Sequence, residues 1–132
     1  MRRILILIPI VFLLISCNKL NTQVQGDWAI DGLEANFIII TNGLNLKKDQ
    51  TCELPMISIS DRFSGNEIGT WNVFRKNGKS YLQIISTNVF FNRIYEIVNL
   101  RKVQDTLSWG GLMKMTLISD SLRMDCTKTL YE

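Results

Sequence analysis

Side chains that could carry covalent or acid–base chemistry are few in this sequence, and none of them forms a catalytic pattern. The chain has three cysteines, 12 acidic residues and no histidine. Histidine is the most frequent general base and metal ligand in proteins, so serine and cysteine here lack the partner that usually activates them. The carboxylates show no pairing motif. We therefore expect no enzymatic activity, no metal site and no cofactor.

The first 16 residues have the pattern of a secretory signal peptide. Arg2 and Arg3 form a basic start, and an apolar run follows from Ile4 to Ile15, interrupted only by Pro9. The run is too short for a membrane-spanning helix, which needs about 20 residues, but it fits a signal peptide. Without this leader 13 basic and 12 acidic side chains remain, scattered singly, which argues against a nucleic-acid partner.

The leader ends in Leu14-Ile15-Ser16-Cys17, which resembles the lipobox of bacterial lipoproteins. The resemblance implies that Cys17 receives a diacylglyceryl group and that a peptidase cleaves after Ser16. Acyl chains such as palmitate would then anchor the new amino terminus in a membrane, and two or three chains hold a protein stably. The alternative is an ordinary signal peptide or a single-span anchor with an incidental cysteine.

The residues after the cysteine bear on location and domain boundaries. Asp at position 18 would resemble an inner-membrane retention signal, so Asn18 favours the outer membrane. Residues 19–26 carry no acidic cluster of the kind found in surface-exported lipoproteins of Bacteroidota, which favours the periplasmic face. We expect residues 17–25 to form a lipidated N-terminus and polar tether, and residues 26–132 to form one domain.

The domain is predicted to be all-β, because several stretches alternate with period two and none keeps helical spacing over eleven residues or more. Asn77-Gly78 is the residue pair most favoured in a two-residue hairpin turn. Pairing across this turn places four apolar side chains on one face: Trp71, Val73, Leu82 and Ile84.

A second hairpin is predicted with Ser119-Asp120 as its turn. In this register Lys114 faces Asp125, a cross-strand pair of opposite charge. The same register places six side chains on one apolar face: Met113, Met115, Leu117, Leu122, Met124 and Cys126.

A third hairpin is predicted at Asn42-Gly43, which would bring Phe37 and Ile39 together with Leu44 and Leu46. Weaker strands are predicted at Gln25–Asp31, Cys52–Ile59 and Arg93–Leu100. Loops are predicted at Asn88–Asn92 and Lys102–Gly111. About eight sequential strands with short connections favour an antiparallel up-and-down meander closed into a barrel, since closure removes exposed edges.

Two Gly-x-Trp motifs stand at strand starts, Gly26-Asp27-Trp28 and Gly69-Thr70-Trp71. The first resembles the lipocalin and calycin signature, in which the tryptophan plugs the closed end of the barrel. Together with the lipobox, a Tyr95 strand and the final hairpin, the layout is similar to small lipocalin-like lipoproteins of Bacteroidota. The resemblance implies a lipocalin-like barrel, but a second lipocalin motif and a C-terminal helix are missing, so no ligand site is carried over.

Cys52 and Cys126 are candidates for a disulfide. The compartment implied by the leader is oxidising, and strand parity places both side chains on the inward face. A bond requires Cα atoms within about 7 Å, and the predicted strands three and eight need not be neighbours. Two buried free thiols are the alternative.

The apolar side chains suggest two functions from different classes: the leading hypothesis is an apolar-ligand or lipid carrier, and the alternative is a protein-binding module. An apolar-ligand or lipid carrier would use a cavity lined by inward side chains, namely Trp28, Trp71, Leu82, Met113, Met115 and Met124. A protein-binding module, such as an inhibitor or assembly partner at the outer membrane, would have a barrel filled by those same side chains. It would bind through outward side chains such as Phe74, Tyr81 and Ile85, if these form a contiguous patch.

Overall fold

The computed structural model describes residues 18–34, 38–39, 43–59, 62–64, 68–104, 110–120 and 122–130. One helix, α1, covers residues 18–24. Eleven strands follow: β1 Gly26–Glu34, β2 Ile38–Ile39, β3 Gly43–Leu46, β4 Thr51–Glu53, β5 Ile57–Ile59, β6 Arg62–Ser64, β7 Ile68–Lys76, β8 Lys79–Ile85, β9 Ile94–Val103, β10 Leu112–Ser119 and β11 Leu122–Thr129.

Eight of the strands close into a barrel in the order β1-β3-β4-β7-β8-β9-β10-β11, with β11 returning to β1. Each neighbouring pair is antiparallel. The remaining strands, β2, β5 and β6, are insertions that form a separate three-stranded sheet. The structure thus confirms the predicted all-β class and the eight-stranded up-and-down barrel.

The β7–β8 hairpin has the predicted register. Trp71 pairs with Ile84 and Val73 with Leu82, and Lys76 and Lys79 flank the turn. Asn77 and Gly78 have positive φ angles of 52° and 75°, as a two-residue hairpin turn of this kind requires.

The predicted register of the last hairpin is wrong by two residues. Ser119 pairs with Leu122, so Met115 faces Cys126 instead of Met124. Asp120 lies in the turn and has a φ of 50°. Ser119, which was predicted to share the turn with it, is instead the last residue of β10. A shift of two residues preserves the side-chain alternation, and therefore the inward and outward faces are as predicted.

The shift also replaces the predicted Lys114–Asp125 pair. Asp125 lies opposite Thr116, whose Oγ1 donates a hydrogen bond of 2.7 Å to Asp125 Oδ1, and Lys114 lies opposite Thr127. Arg123 Nη2 also lies 3.6 Å from Asp125 Oδ1. The carboxylate therefore has partners without Lys114, and matching charges alone did not determine the register.

The hairpin predicted at Asn42-Gly43 is also wrong. β3 pairs with β1 and β4 in the barrel, whereas β2 pairs with β5 in the small sheet. Phe37 and Asn42 lie outside the described residues. The prediction failed because an Asn-Gly pair favours a tight turn but does not determine which strand the next segment pairs with.

The predicted strand Cys52–Ile59 consists of two strands, β4 in the barrel and β5 in the small sheet. The break contains Pro55, which has no backbone N–H to donate to a sheet. Residues 86–93 form a loop between β8 and β9, in agreement with the loop predicted at 88–92. The other predicted loop begins later than expected, because Lys102 and Val103 belong to β9, and residues 105–109 of it lie outside the described part.

Residues 18–24 are not a free tether in this structure. They form α1, and Leu20 and Val24 are buried in the hydrophobic core of the barrel. These two side chains are four residues apart, so they lie on one face of a helix. A single pair is too short a pattern to be recognised as helical periodicity, and for this reason the sequence alone favours a polar spacer.

Candidate functional site

One end of the barrel, here called the helix end, is covered by α1 and centres on Trp28. The indole Nε1 of Trp28 donates a hydrogen bond of 2.7 Å to the carbonyl oxygen of Val24, and the side chain is 1 % exposed. The Gly26-Asp27-Trp28 motif therefore ties the start of β1 to the last turn of the helix.

Lys128, on β11, completes this end of the barrel. Its Nζ donates to the carbonyl oxygens of Gln23 and Gln25 at 2.6 and 2.5 Å, and lies 4.7 Å from the centroid of the Trp28 ring. A cation is favourable at a helix C-terminus and over an aromatic face. Burial lowers the pKa of the Lys128 ammonium from its ordinary value.

Sequence reasoning did not identify Lys128 as a structural residue. The signal was present, because Lys128 continues the inward series of Met124 and Cys126 on β11. A lysine at the end of an inward apolar series needs acceptors at the mouth of the barrel, and here the helix supplies them.

Trp71 fastens the β3–β4 turn to β7. Its Nε1 donates to the carbonyl oxygen of Lys47 at 2.9 Å, and its backbone N–H donates to Gln50 at 2.9 Å. The Gln50 side chain donates back to the Trp71 carbonyl at 2.9 Å. Trp71 therefore has its hydrogen-bond partner within the fold, as buried tryptophans usually do.

The side chains predicted to line a cavity form a filled core instead. Five of them are 0–2 % exposed: Trp28, Trp71, Leu82, Met115 and Met124. Met113 is partly buried and packs against the same cluster. Side chains this deeply buried leave no wide opening among them, so an apolar ligand at this place would require them to move apart.

Tyr95 and Phe91 close the interior near the opposite end. The hydroxyl of Tyr95 donates to the Phe91 carbonyl at 3.0 Å, and both side chains are fully buried. Burial raises the pKa of the Tyr95 phenol above its ordinary value. This phenol is therefore a neutral donor within the core.

Cys52 and Cys126 are free, buried thiols, so the disulfide is absent and the alternative of two thiols describes this structure. They lie on β4 and β11, which are not paired in the barrel. Burial raises the pKa of Cys126 to about 12, and burial also raises the pKa of Cys52. Both thiols are poor nucleophiles as long as the barrel is folded.

Beyond the β7–β8 turn, the outward side chains of β7, β8 and the first half of β9 form a surface with little charge: Ile68, Thr70, Asn72, Phe74, Tyr81, Gln83, Ile85, Ile94, Glu96 and Val98. Glu96 is the one charged residue of this set, and Lys76 and Lys79, which flank the turn, lie on the same face. Phe74 and Tyr81, predicted to point outward, stack with ring centroids 5.2 Å apart.

The outward face of β1, β11, β10 and the end of β9 has a different character, and we call it the charged wall. Among the side chains that the structure describes there, three are acidic and three are basic: Asp27, Asp31, Asp125, Arg101, Lys114 and Arg123. A polar cleft of about 350 Å³ lies among five of them. Asp31, at a bulge of β1, accepts a hydrogen bond from Thr127.

A larger surface cleft of about 660 Å³ lies beside the start of β1, between Asp27, Gly43 and Thr129. Trp28, one of the predicted cavity residues, also lines this cleft, although only 1 % of its surface is exposed. In the part of the chain that the structure describes, no three His, Cys, Asp or Glu side chains are close enough to hold a metal ion.

Cys17, the predicted lipidation site, precedes the first described residue, Asn18. Among the described residues, no helix combines the length and apolar character that crossing a membrane requires. Comparisons with models of protein families, with curated proteins and with solved structures found no match. The resemblance to lipocalin-like lipoproteins of Bacteroidota therefore stays a prediction from sequence motifs.

Proposed function

We propose that this chain is a lipid-anchored lipoprotein of the bacterial cell envelope, held at the periplasmic face of the outer membrane through Cys17, and that its barrel is a protein-binding module. The support for the anchor is the pattern of basic start, apolar run and small residue before Cys17. The membrane is then the first partner of the protein.

The packed interior favours the protein-binding module over the apolar-ligand carrier. Trp28, Leu82 and Met124 are among the residues predicted to line a ligand cavity, and each has no more than 1 % of its surface exposed. A carrier of an apolar molecule keeps a pocket largely formed in the absence of its ligand. A filled barrel instead leaves binding to the outer surface, where large apolar side chains such as Ile68 and Ile85 are exposed.

The experiment that tests this proposal is native mass spectrometry of the protein purified from membranes, compared with a Cys17→Ser variant. We expect the mass of residues 17–132 plus acyl chains and no further organic molecule. The Cys17→Ser variant should lack the acyl mass and should not fractionate with the membrane.

Two results would contradict different parts of the proposal. A membrane form without acyl mass would remove the anchor. An additional mass that organic solvent extracts, and that is lost in Trp71→Ala, would restore the apolar-ligand carrier.

A further inference from the structure

Basic side chains are concentrated at the helix end of the barrel. β1 begins at this end, and neighbouring strands are antiparallel, so the β3–β4 turn, the β7–β8 turn and the end of β9 lie there too. Six exposed cations of α1 and these segments have no ion-pair partner in the described part of the chain, and we call them the basic rim: Lys19, Lys48, Arg75, Lys76, Arg101 and Lys102.

Acidic side chains at the same end are fewer. The carboxylates of Glu53 and Asp49 are engaged by neighbouring side chains beside the β3–β4 turn. Asp27 is exposed at the start of β1, and Asp105 and Glu132 lie outside the described residues. The six cations outnumber these last three acidic residues, whereas 13 basic and 12 acidic side chains nearly balance in the chain without its leader.

Two pairs of cations also lie directly opposite each other at this end. Lys76 pairs with Lys79 across the β7–β8 hairpin, and Arg101 pairs with Lys114 between β9 and β10. Like charges in such positions destabilise a sheet. Glu96 lies 3.6 Å from Lys79, but the other three cations have no carboxylate partner among the described residues. An anionic surface at the helix end would relieve both repulsions.

The inward series of two strands end in exposed cations at the mouth of the barrel. On β7, Arg75 lies four residues after the buried Trp71, and on β9, Lys102 lies opposite Met113, which packs against the core. The corresponding cation of β11, Lys128, donates to α1, whereas Arg75 and Lys102 have no hydrogen-bond acceptor among the described residues. Their charges therefore remain at the end surface of the barrel.

The proposed anchor leaves the protein at this same end. Leu20 is buried in the core and lies three residues after Cys17, so their Cα atoms are at most about 11 Å apart. Val24 and Lys128 also hold α1 against the barrel. Acyl chains on Cys17 would therefore bring the helix end next to the lipid headgroups.

From this geometry we propose that the basic rim binds the phosphate groups of anionic phospholipids in the membrane that holds the acyl chains. The inference rests on the proposed lipid anchor for its orientation. The rim is spread over α1, one turn and the ends of two strands instead of being gathered in one pocket. This arrangement fits a surface of many headgroups better than one small anion.

The strength of this binding depends on surface charge and on salt. A Lys or Arg close to an anionic leaflet strengthens membrane binding by roughly fivefold. The attraction is screened within about 8 Å at physiological ionic strength and within about 3 Å at 1 M salt. Binding through the rim should therefore need anionic lipid and should be lost at high salt.

The test is co-sedimentation of the mature chain, residues 17–132 with Cys17→Ser, with vesicles of phosphatidylcholine that contain or lack phosphatidylglycerol. This chain includes α1 and every described strand, and it carries no acyl chain that could dominate binding. We compare it with Lys76→Gln, Arg101→Gln and the double variant. Arg123→Gln is the matched control, since it removes one exposed cation beside the β10–β11 turn at the opposite end.

We expect the parent to bind only the vesicles that contain phosphatidylglycerol and to be released at high salt. Each rim variant should bind up to about fivefold more weakly and the double variant about tenfold or more. Arg123→Gln should change binding by less than about twofold, because its position is more than a screening length from the membrane. Circular dichroism of each variant checks that the barrel is folded.

No binding of the parent to anionic vesicles, equal binding to both kinds of vesicle, or equal losses in Arg123→Gln and the rim variants would overturn the inference and leave the anchor intact. The anchor is tested separately by the acyl mass on the protein from membranes. If that mass is absent while the rim still binds vesicles, the anchor has failed and the lipid surface stands.

Discussion

Trp71 and Ile85 belong to the same β-hairpin, yet Trp71 is 2 % exposed and Ile85 is 54 % exposed. The inward face of this hairpin is satisfied within the fold, because Trp71 packs in the core and its indole N–H has an acceptor. The outward face contributes little to that packing, so the fold itself does not require its isoleucines. The difference indicates that the interior supplies stability and that the outer wall is available for binding.

The largest difference between the two faces should appear in Trp71→Ala against Phe74→Ala. Trp71→Ala should lower the free energy of unfolding by about 3–5 kcal/mol, because it empties a buried site and removes the donor to Lys47. Phe74→Ala should cost about 1 kcal/mol, the loss of a partly exposed aromatic pair. Urea unfolding of residues 18–132 measures both, and equal losses would contradict a filled interior.

The second-largest loss of stability is expected at Gly69, where β7 lies close to β8 and β4. A Cβ at this position would lie 2.7 Å from the Ile85 carbonyl oxygen and 3.2 Å from Cys52 Sγ. Gly69→Ala should therefore destabilise the protein by about 1–3 kcal/mol, as overpacking usually does. Gly43→Ala is the matched control, since no atom lies within 4 Å of its added Cβ. Thermal unfolding should separate the two variants, and similar midpoints would show that the barrel wall adjusts freely.

Removing the cation at the helix end should have a somewhat smaller effect. Lys128→Met loses the hydrogen bonds to the carbonyl oxygens of Gln23, in α1, and Gln25, just after it, and also the contact with Trp28. Together these contribute about 1–2 kcal/mol. The exposed Lys76→Met is its control. Trp28 fluorescence and the unfolding midpoint should change only in Lys128→Met; no change there would mean that Leu20, Val24 and the Trp28 hydrogen bond hold α1 without help from Lys128.

The smallest effect is a pH dependence from the Cys126 thiol. Burial raises its folded pKa from 9.0 to about 12, so the unfolded chain loses its proton first as the pH rises. Stability is thus highest below pH 9 and falls by about 1 kcal/mol between pH 9 and pH 10 from this group. Cys126→Ala should have a flatter profile than the parent in denaturation at these pH values, and parallel profiles would contradict the burial of this thiol.

Thiol labelling gives a direct check of both cysteines. Cys52 and Cys126 should be unreactive in the folded protein and should both react with an aromatic disulfide reagent in urea without reductant. Failure to react in urea would reveal the disulfide that the structure lacks.

The barrel could be predicted because its signals are local. Alternation over Trp71, Val73, Leu82 and Ile84 specifies the inward face, and Asn77-Gly78 fixes the register of that hairpin. The last hairpin shows the limit of this reasoning, because registers two residues apart place the same side chains inward. Lys114 could then be matched with Asp125 in a register that the chain does not adopt.

The features that could not be predicted depend on contacts between distant parts of the chain. The small sheet joins β2 to β5, about 20 residues later, and no local pattern indicates this pairing. The clamp of Lys128 on α1 joins residues 105 positions apart. The outward apolar side chains were recognised individually, but their adjacency required the order of β7, β8 and β9 around the barrel.

The most direct test of a filled barrel is methyl NMR of residues 18–132 under increasing xenon pressure. Xenon enters apolar cavities that water does not fill. The methyl resonances of Leu82, Met115 and Met124 should show no saturable shift in the parent protein. Leu82→Ala, which creates a cavity among these side chains, should show one and serves as the positive control. Saturable shifts in the parent would contradict the packed interior and point to a ligand cavity.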